Sequence, residues 1–139
     1  MPQIDKCHWQ FVRSLEKQDW FAAAKPFILR LDEDHWIYID ISASKYQSGK
    51  QDAIMVVELK CFLEKDDETT DLYAGLGQYF VYRNLLRQFE IPHPLYLAVP
   101  THAYYGVIQR MAVLPLIAEN GIKMIIVDLE REEIEQWLE

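Results

Sequence analysis

Two acidic residues and one lysine lie on neighbouring strand-like segments of this chain, where they could bind a metal ion. Asp40 lies within an apolar segment, and Glu58 and Lys60 belong to the next dense β-branched segment. Side chains two positions apart on a strand point to the same face of a sheet, so Glu58 and Lys60 project together. If the two strands pair, two carboxylates and an ammonium group converge at one place.

These groups suit the hydrolysis of a phosphodiester. Asp40 and Glu58 supply the hard oxygen ligands that Mg²⁺ prefers, or Mn²⁺ in its place, and the backbone carbonyl of Leu59 could add a third oxygen. The metal would activate a water molecule, and Lys60 would neutralise charge that develops on the phosphate. An isolated Glu-x-Lys is common on solvated strands. Charges inside apolar strands, however, are costly unless they are paired or bound to metal.

A long helix, predicted over about residues 70–89, adds two polar side chains. Gln78 and Tyr82 are four residues apart, so they share one face of that helix. A glutamine and a phenol at this place could reach a phosphate or the ligands of the metal. From spacing alone, the alternative stays equally open that they form a polar helix edge with a tyrosine that lines the core.

The hydrophobic pattern predicts the elements that must position these residues. An amphipathic helix over residues 5–20 is expected to begin with Asp5 as its cap and to bury His8. Strands are predicted at residues 27–31, 36–42, 54–59, 95–99 and 122–129, a loop at 44–52, helix at 103–120, and helical spacing in the tail 130–139. The order is therefore α-β-β-β-α-β-α-β. It predicts one α/β domain over residues 1–139, with a mixed sheet between helices.

Composition limits the function classes. The formal net charge is −8, which is acidic for a protein that must bind DNA unaided. A nucleic-acid role would need a metal ion, a local basic patch or a positively charged partner. No apolar run approaches the roughly 20 residues that cross a bilayer, so no membrane role is expected.

The cysteines and aromatic residues give two further expectations. Cys7 and Cys61 show no metal-ligand spacing, and we expect two reduced thiols in a cytoplasmic protein. The aromatic surplus includes Tyr104, Tyr105 and Trp137, which favours a protein interface, with simple core filling as the alternative.

The chain order, with Asp40, then Glu58-x-Lys60, then Gln78-x-x-x-Tyr82, resembles the PD-(D/E)XK nuclease superfamily. Over almost its whole length the chain more closely resembles the XisH-type fdxN-element excision controlling factors. The segments that carry this resemblance are residues 38–40, 57–62, 75–83 and 95–100, with Asp128, 132–134 and 136–137 near the end.

The resemblance implies a restriction-endonuclease-like fold and a factor needed for site-specific excision of a DNA element. It implies work with a recombinase and a companion controlling factor, contact with DNA, and a homodimer or hetero-oligomer. It places Asp40, Glu58 and Lys60 at metal and catalytic positions, with Gln78 and Tyr82 in support. The alternative function is a regulatory module without catalysis, which uses the same fold to bind a partner protein.

Three positions bear on the match to the family pattern. Ile39 replaces the proline of the superfamily motif, and Lys25 precedes Pro26 where relatives carry an acid. Glu16, on the first helix, is a candidate for the additional acid that many such nucleases carry there.

Overall fold

A computed structural model describes residues 5–139, so the first four residues of the predicted domain lie outside the described part. The chain has a mixed α+β fold. Its helices are α1 (His8–Glu16), α2 (Glu68–Gln88), α3 (Thr101–Ala103) and α4 (Leu114–Glu119). Its strands are β1 (Trp20–Ala22), β2 (Phe27–Arg30), β3 (Trp36–Ile39), β4 (Ile41–Gln47), β5 (Lys50–Leu59), β6 (Leu95–Pro100), β7 (Met124–Asp128) and β8 (Glu133–Leu138).

Six strands form one mixed sheet in the order β1-β4-β5-β6-β7-β8, and β2 pairs with β3 in a separate hairpin. β5, β6 and β7 are parallel, while the outer pairings on both sides are antiparallel. The parallel pairs require crossover connections, and α2 supplies the first of them. The mixed sheet follows the sequence prediction, although five strands rather than three precede the long helix.

Helices cover both faces of the sheet, as predicted. α1 packs Phe11, Val12 and Leu15 against one face, and α2 packs on the other face together with the helical segment that follows β6. Consecutive residues of β5 alternate between these two cores: Met55 and Val57 face α1, and Val56 faces α2. Because the period of a strand is two, this alternation directs Glu58 towards α2.

The predicted strand 36–42 is wrong as one continuous element. The chain bends at Asp40, which leaves β3 in the hairpin and β4 in the main sheet. The predicted loop 44–52 is also wrong, because β4 and β5 pair almost to its tip, with Gln47 opposite Lys50. This part of the β4–β5 hairpin is exposed to solvent, so its side chains are polar and the segment has the composition of a loop.

The acidic tail was predicted to be helical and is instead the edge strand β8, antiparallel to β7. It does dock, because Ile134 and Trp137 pack against the core beside α1. Residues 103–120 are largely helical, as predicted: they contain the end of α3, a π-helical turn (Tyr104–Ile108) and α4, which has a proline in its first turn. Across residues 5–139, every helix is too short or too polar to cross a membrane.

The prediction of two reduced thiols is wrong. Cys7 and Cys61 form a disulfide, with their Cα atoms 5.9 Å apart and a separation of 54 positions in sequence. Cys7 is the residue before α1, and Cys61 follows the end of β5. Packing of α1 on the sheet brings the two cysteines together, and no local spacing motif in the sequence predicts this contact.

Candidate functional site

The carboxyl end of β5 brings the predicted residues together. Ile41 of β4 pairs with Val57 of β5, so Asp40 lies beside Glu58 in the antiparallel register. There the chain has left the strand ladder, and the backbone N–H of Leu59 donates to Asp40 Oδ2 at 2.8 Å. The bend at Asp40 therefore replaces a strand hydrogen bond with one to a carboxylate, and this fixes the carboxylate at the strand end.

Glu58 and Lys60 project from the same edge of β5. Glu58 is 3% exposed, and its Oε2 lies 3.7 Å from Lys60 Nζ. Lys60 lies against α2 at Gly75, where an added Cβ would be 3.3 Å from Lys60 Cγ. The absence of a side chain at Gly75 makes room for the lysine between helix and strand.

A third carboxylate that the sequence prediction assigned to another role completes the cluster. Asp5 was expected to cap α1, but the residue before the helix is Cys7 and no side chain caps its start. The Asp5 carboxyl instead lies beside Asp40 and close to Lys60, and burial together with Asp40 raises the pKa of Asp5 to about 6. Asp5 and Lys60 also line a neighbouring pocket of about 280 Å³.

Electrostatics set the protonation of Glu58. Burial, and after it repulsion from Asp40, raises the pKa of Glu58 to about 8. Lys60 opposes this rise. Glu58 is thus protonated at neutral pH when no cation is bound. The 3.7 Å distance between Glu58 Oε2 and Lys60 Nζ then joins a lysine to a neutral acid, so this contact does not stabilise the fold as an ion pair.

Gln78 and Tyr82 of α2 face this cluster. Gln78 Oε1 is buried without a hydrogen-bond partner. Burial and the nearby carboxylates Glu58 and Asp40 raise the pKa of Tyr82 to about 12, opposed by a hydrogen bond with Gln78. Tyr82 also packs against the core, so its position fits both a tyrosine that lines the core and a residue that faces the site. Its raised pKa keeps the hydroxyl neutral at neutral pH and able to donate its proton.

The donor atoms at this place are oxygens, the type of ligand that a hard divalent cation prefers. Glu58 Oε1 and Gln78 Oε1 are buried oxygens without partners, an arrangement that costs free energy unless something binds there. Asp40 and Asp5 add carboxylate oxygens. Within residues 5–139, no group of three or more His, Cys, Asp or Glu side chains is arranged to hold a metal ion by itself, so a cation here would need further ligands from the Gln78 amide, backbone oxygens or water. Mg²⁺, which keeps several waters, suits such an open group of oxygens.

Other residues take different places. His8 was expected in the core but is only partly buried, and its burial lowers its pKa while Asp40 opposes this effect. Glu16 is exposed at the end of α1, and Lys25 is exposed between β1 and β2. The acid from the N-terminal region that meets Asp40 is therefore Asp5. Asp5 was instead predicted at the start of α1, because Asp is a favoured residue at the N-cap of a helix.

Two glycines of α2 provide a test of how Lys60 is held. Gly77→Ala should raise the free energy of unfolding by about 1 kcal/mol, since alanine favours helix and no atom lies within 4 Å of the new Cβ. Gly75→Ala should gain less, because its Cβ meets Lys60 Cγ at 3.3 Å and Leu97 at 3.5 Å. Urea unfolding compares the two variants. An equal gain would show that Lys60 moves aside freely.

Comparisons with known proteins match nearly the whole chain to one protein family. The model of the XisH protein family matches residues 1–135. A crystal structure of an XisH family protein from Nostoc punctiforme is 32% identical, with a TM-score of 0.80 over 97% of this chain and 100% of that one. The crystal structure of an fdxN element excision controlling factor protein from Anabaena variabilis is 30% identical, with a TM-score of 0.78 over 95% of this chain and 97% of that one. No curated protein matches the chain.

Proposed function

Because this chain belongs to the XisH protein family, we propose that it is a controlling factor for site-specific excision of a DNA element and that it has a metal-dependent, nuclease-like site. The excision role rests on the description of the Anabaena variabilis relative as an fdxN element excision controlling factor. The nuclease-like site rests on Asp40, Glu58 and Lys60 at the end of β5.

One observation carries the chemical part of the proposal: an acidic side chain that is 3% exposed has an oxygen without a partner and a second carboxylate beside it. A buried acid with a neighbouring like charge destabilises the fold, so a merely structural position would favour a neutral residue. Glu58 in this setting suits a ligand that brings positive charge.

The residues have separate roles. Asp40, Glu58 and the Leu59 carbonyl would hold Mg²⁺ or Mn²⁺, with Asp5 beside them. When bound, the metal supplies Lewis acidity and lowers the pKa of a water molecule. Lys60 places its ammonium group where a phosphate would develop negative charge.

The polar edge of α2 completes this arrangement. Tyr82, whose pKa is about 12, keeps its proton at neutral pH and can donate to a phosphate oxygen. Gln78 holds its buried carbonyl oxygen towards the same group of donors.

The framework supports a restriction-endonuclease-like core of the PD-(D/E)XK type. β4, β5 and β6 are adjacent, α2 connects β5 to β6, and α1 lies on the opposite face. The acid of the first strand then meets the acid and the lysine of the second at one sheet edge, and the crossover helix adds the polar pair. Function on such a shared fold depends on the site rather than on the architecture.

The negative net charge of the chain means that contact with DNA would need positively charged partners. At a net charge of −8, contact with DNA requires a partner that brings positive charge as well as the metal. A companion excision controlling factor and a recombinase fill this place in the proposal, in a hetero-oligomer or around a homodimer. The exposed Tyr105, with 54% of its surface accessible, is a candidate contact of such an assembly.

The purified chain, mixed with its companion factor and with Mg²⁺ or Mn²⁺, should nick or cut DNA that contains the ends of the element. Glu58→Ala should lose both cutting and metal binding, because it removes a metal oxygen. Gln78→Ala should reduce cutting less. Gel analysis of supercoiled DNA measures cutting, and calorimetry measures metal binding. EDTA, and the same mixture with Glu58→Ala, are the controls.

The second candidate function, a regulatory module without catalysis, is favoured by the acidic net charge and by the description of the Anabaena variabilis relative as a controlling factor. If the wild-type chain binds its companion but never cuts DNA under any of these conditions, this second function replaces the first.

A further inference from the structure

The disulfide lies between two residues of the candidate site. Cys7 comes two residues after Asp5, and Cys61 directly follows Lys60. Cys7 is 2% exposed, whereas Cys61 is partly exposed and lines the 280 Å³ pocket together with Asp5 and Lys60. The covalent link therefore joins the segment that carries one acid of the site to the strand end that carries its lysine, and one of the two linked residues, Cys61, lines an open pocket.

Few backbone hydrogen bonds connect this segment to the sheet. Asp5 C=O accepts from the His8 N–H and Cys7 C=O from the Phe11 N–H, and both bonds lie within the start of α1. Of the hydrogen bonds made by the backbone of residues 5–7 in the described chain, one reaches the sheet: Cys7 N–H donates to Cys61 Sγ at 3.3 Å. The disulfide and this backbone hydrogen bond therefore both pass through the Cys61 sulfur, while the Asp5 side chain adds a contact with Asp40.

We propose that the Cys7–Cys61 disulfide is a redox latch, which holds Asp5 at the acidic cluster when oxidised and releases it when a dithiol reduces the bond. This inference rests on the proposed metal site, because it regulates that site. Loss of the latch removes one carboxylate from beside Asp40. Divalent cation affinity depends on the number of charged ligands and on the rigidity of the site, so it falls on reduction.

The chemistry balances with an ordinary dithiol. Its thiolate attacks Cys61 Sγ from the pocket, the S–S bond breaks, and Cys7 leaves as a thiolate that takes a proton. The second thiol of the reductant then attacks the mixed disulfide and releases Cys61 as a thiol. Two electrons and two protons pass to the cysteines, and the dithiol becomes a cyclic disulfide.

The experiment compares the full chain, oxidised and after treatment with dithiothreitol that is then removed without air. Mn²⁺ titration by calorimetry or electron paramagnetic resonance should show about tenfold or greater weakening on reduction, as expected when a group that supports a metal site is lost. Asp5→Asn should show the same weakening in the oxidised state, with no further loss on reduction. Cys7→Ala should bind as reduced wild type does, whether or not dithiothreitol is added.

Hydrogen exchange provides a second measurement that does not depend on metal. Exchange in residues 5–16 should accelerate on reduction, while α2 stays protected and shows that the fold persists. Equal Mn²⁺ affinity of the oxidised and reduced forms overturns the latch, even if exchange changes. If the oxidised wild type binds no Mn²⁺, the metal site itself is wrong, and unchanged exchange in residues 5–16 then overturns the latch as well.

Discussion

Glu58→Gln is expected to stabilise the metal-free protein by roughly 3 kcal/mol at pH 7. In the folded chain the pKa of Glu58 is about 8, because of burial and then of Asp40, against an ordinary value of 4.5. At pH 7 unfolding lets this carboxyl ionise in water, which favours the unfolded state. Glutamine keeps the shape of the side chain and removes this ionisation.

The sign fixes the pH window. A raised folded pKa contributes stability that is complete below the unfolded pKa and is lost as the pH rises through the folded pKa. The advantage of Glu58→Gln over wild type should thus be near zero at pH 4.5 and grow until about pH 8. Urea unfolding at a series of pH values with EDTA measures it. Asp5, with a pKa of about 6, adds a smaller slope of the same sign to both proteins.

Two controls isolate the effect. Glu16→Gln removes one carboxylate from an exposed position of α1, and its pH curve should overlay that of wild type. Mg²⁺ should reverse the order of stability, because it stabilises the ionised Glu58 of wild type and gains less from glutamine. A Glu58→Gln curve parallel to wild type from pH 4.5 to 8 would show that Glu58 is ionised and compensated in the folded chain.

The central elements follow from sequence because their patterns are strong. The dense β-branched segment ends β5 at Leu59, and the helical repeat predicts α2 to within a few residues of its observed bounds, Glu68–Gln88. Helical spacing also places Gln78 and Tyr82 on one face. The weaker predictions lay at the edges of the sheet, where β8 alternates Ile134 with polar residues and includes enough acids to resemble a solvated helix.

The acid of the N-terminal segment and the disulfide could not be inferred, since both depend on how α1 lies on the sheet. Asp5 and Asp40 are 35 residues apart in sequence, and no local motif relates them. The pairing of Cys7 with Cys61 follows the same contact. A bend at Asp40 was equally hidden, because the alternation of Trp36, Tyr38 and Asp40 describes a strand that passes straight through.

Lys60→Met should lower the rate of DNA cutting by about 10²–10³-fold, if the proposed site is competent, because it removes a charge that stabilises the transition state. Methionine keeps the unbranched stem that packs against Gly75, so the fold should be retained. Binding of Mn²⁺ should persist and even strengthen, since the ammonium group is no ligand and repels a cation near Glu58.

The matched control is Lys6→Met, which removes a lysine from the lining of the same pocket but has no contact with Glu58 among the described ion pairs. Its cutting rate should stay within a few-fold of wild type, and thermal unfolding of both variants should confirm equal folding. A variant that loses cutting and Mn²⁺ binding together would indicate that Lys60 acts through the architecture of the site. Undiminished cutting by Lys60→Met would assign the activity to another site or to a contaminating nuclease, because no phosphate could then depend on this ammonium group.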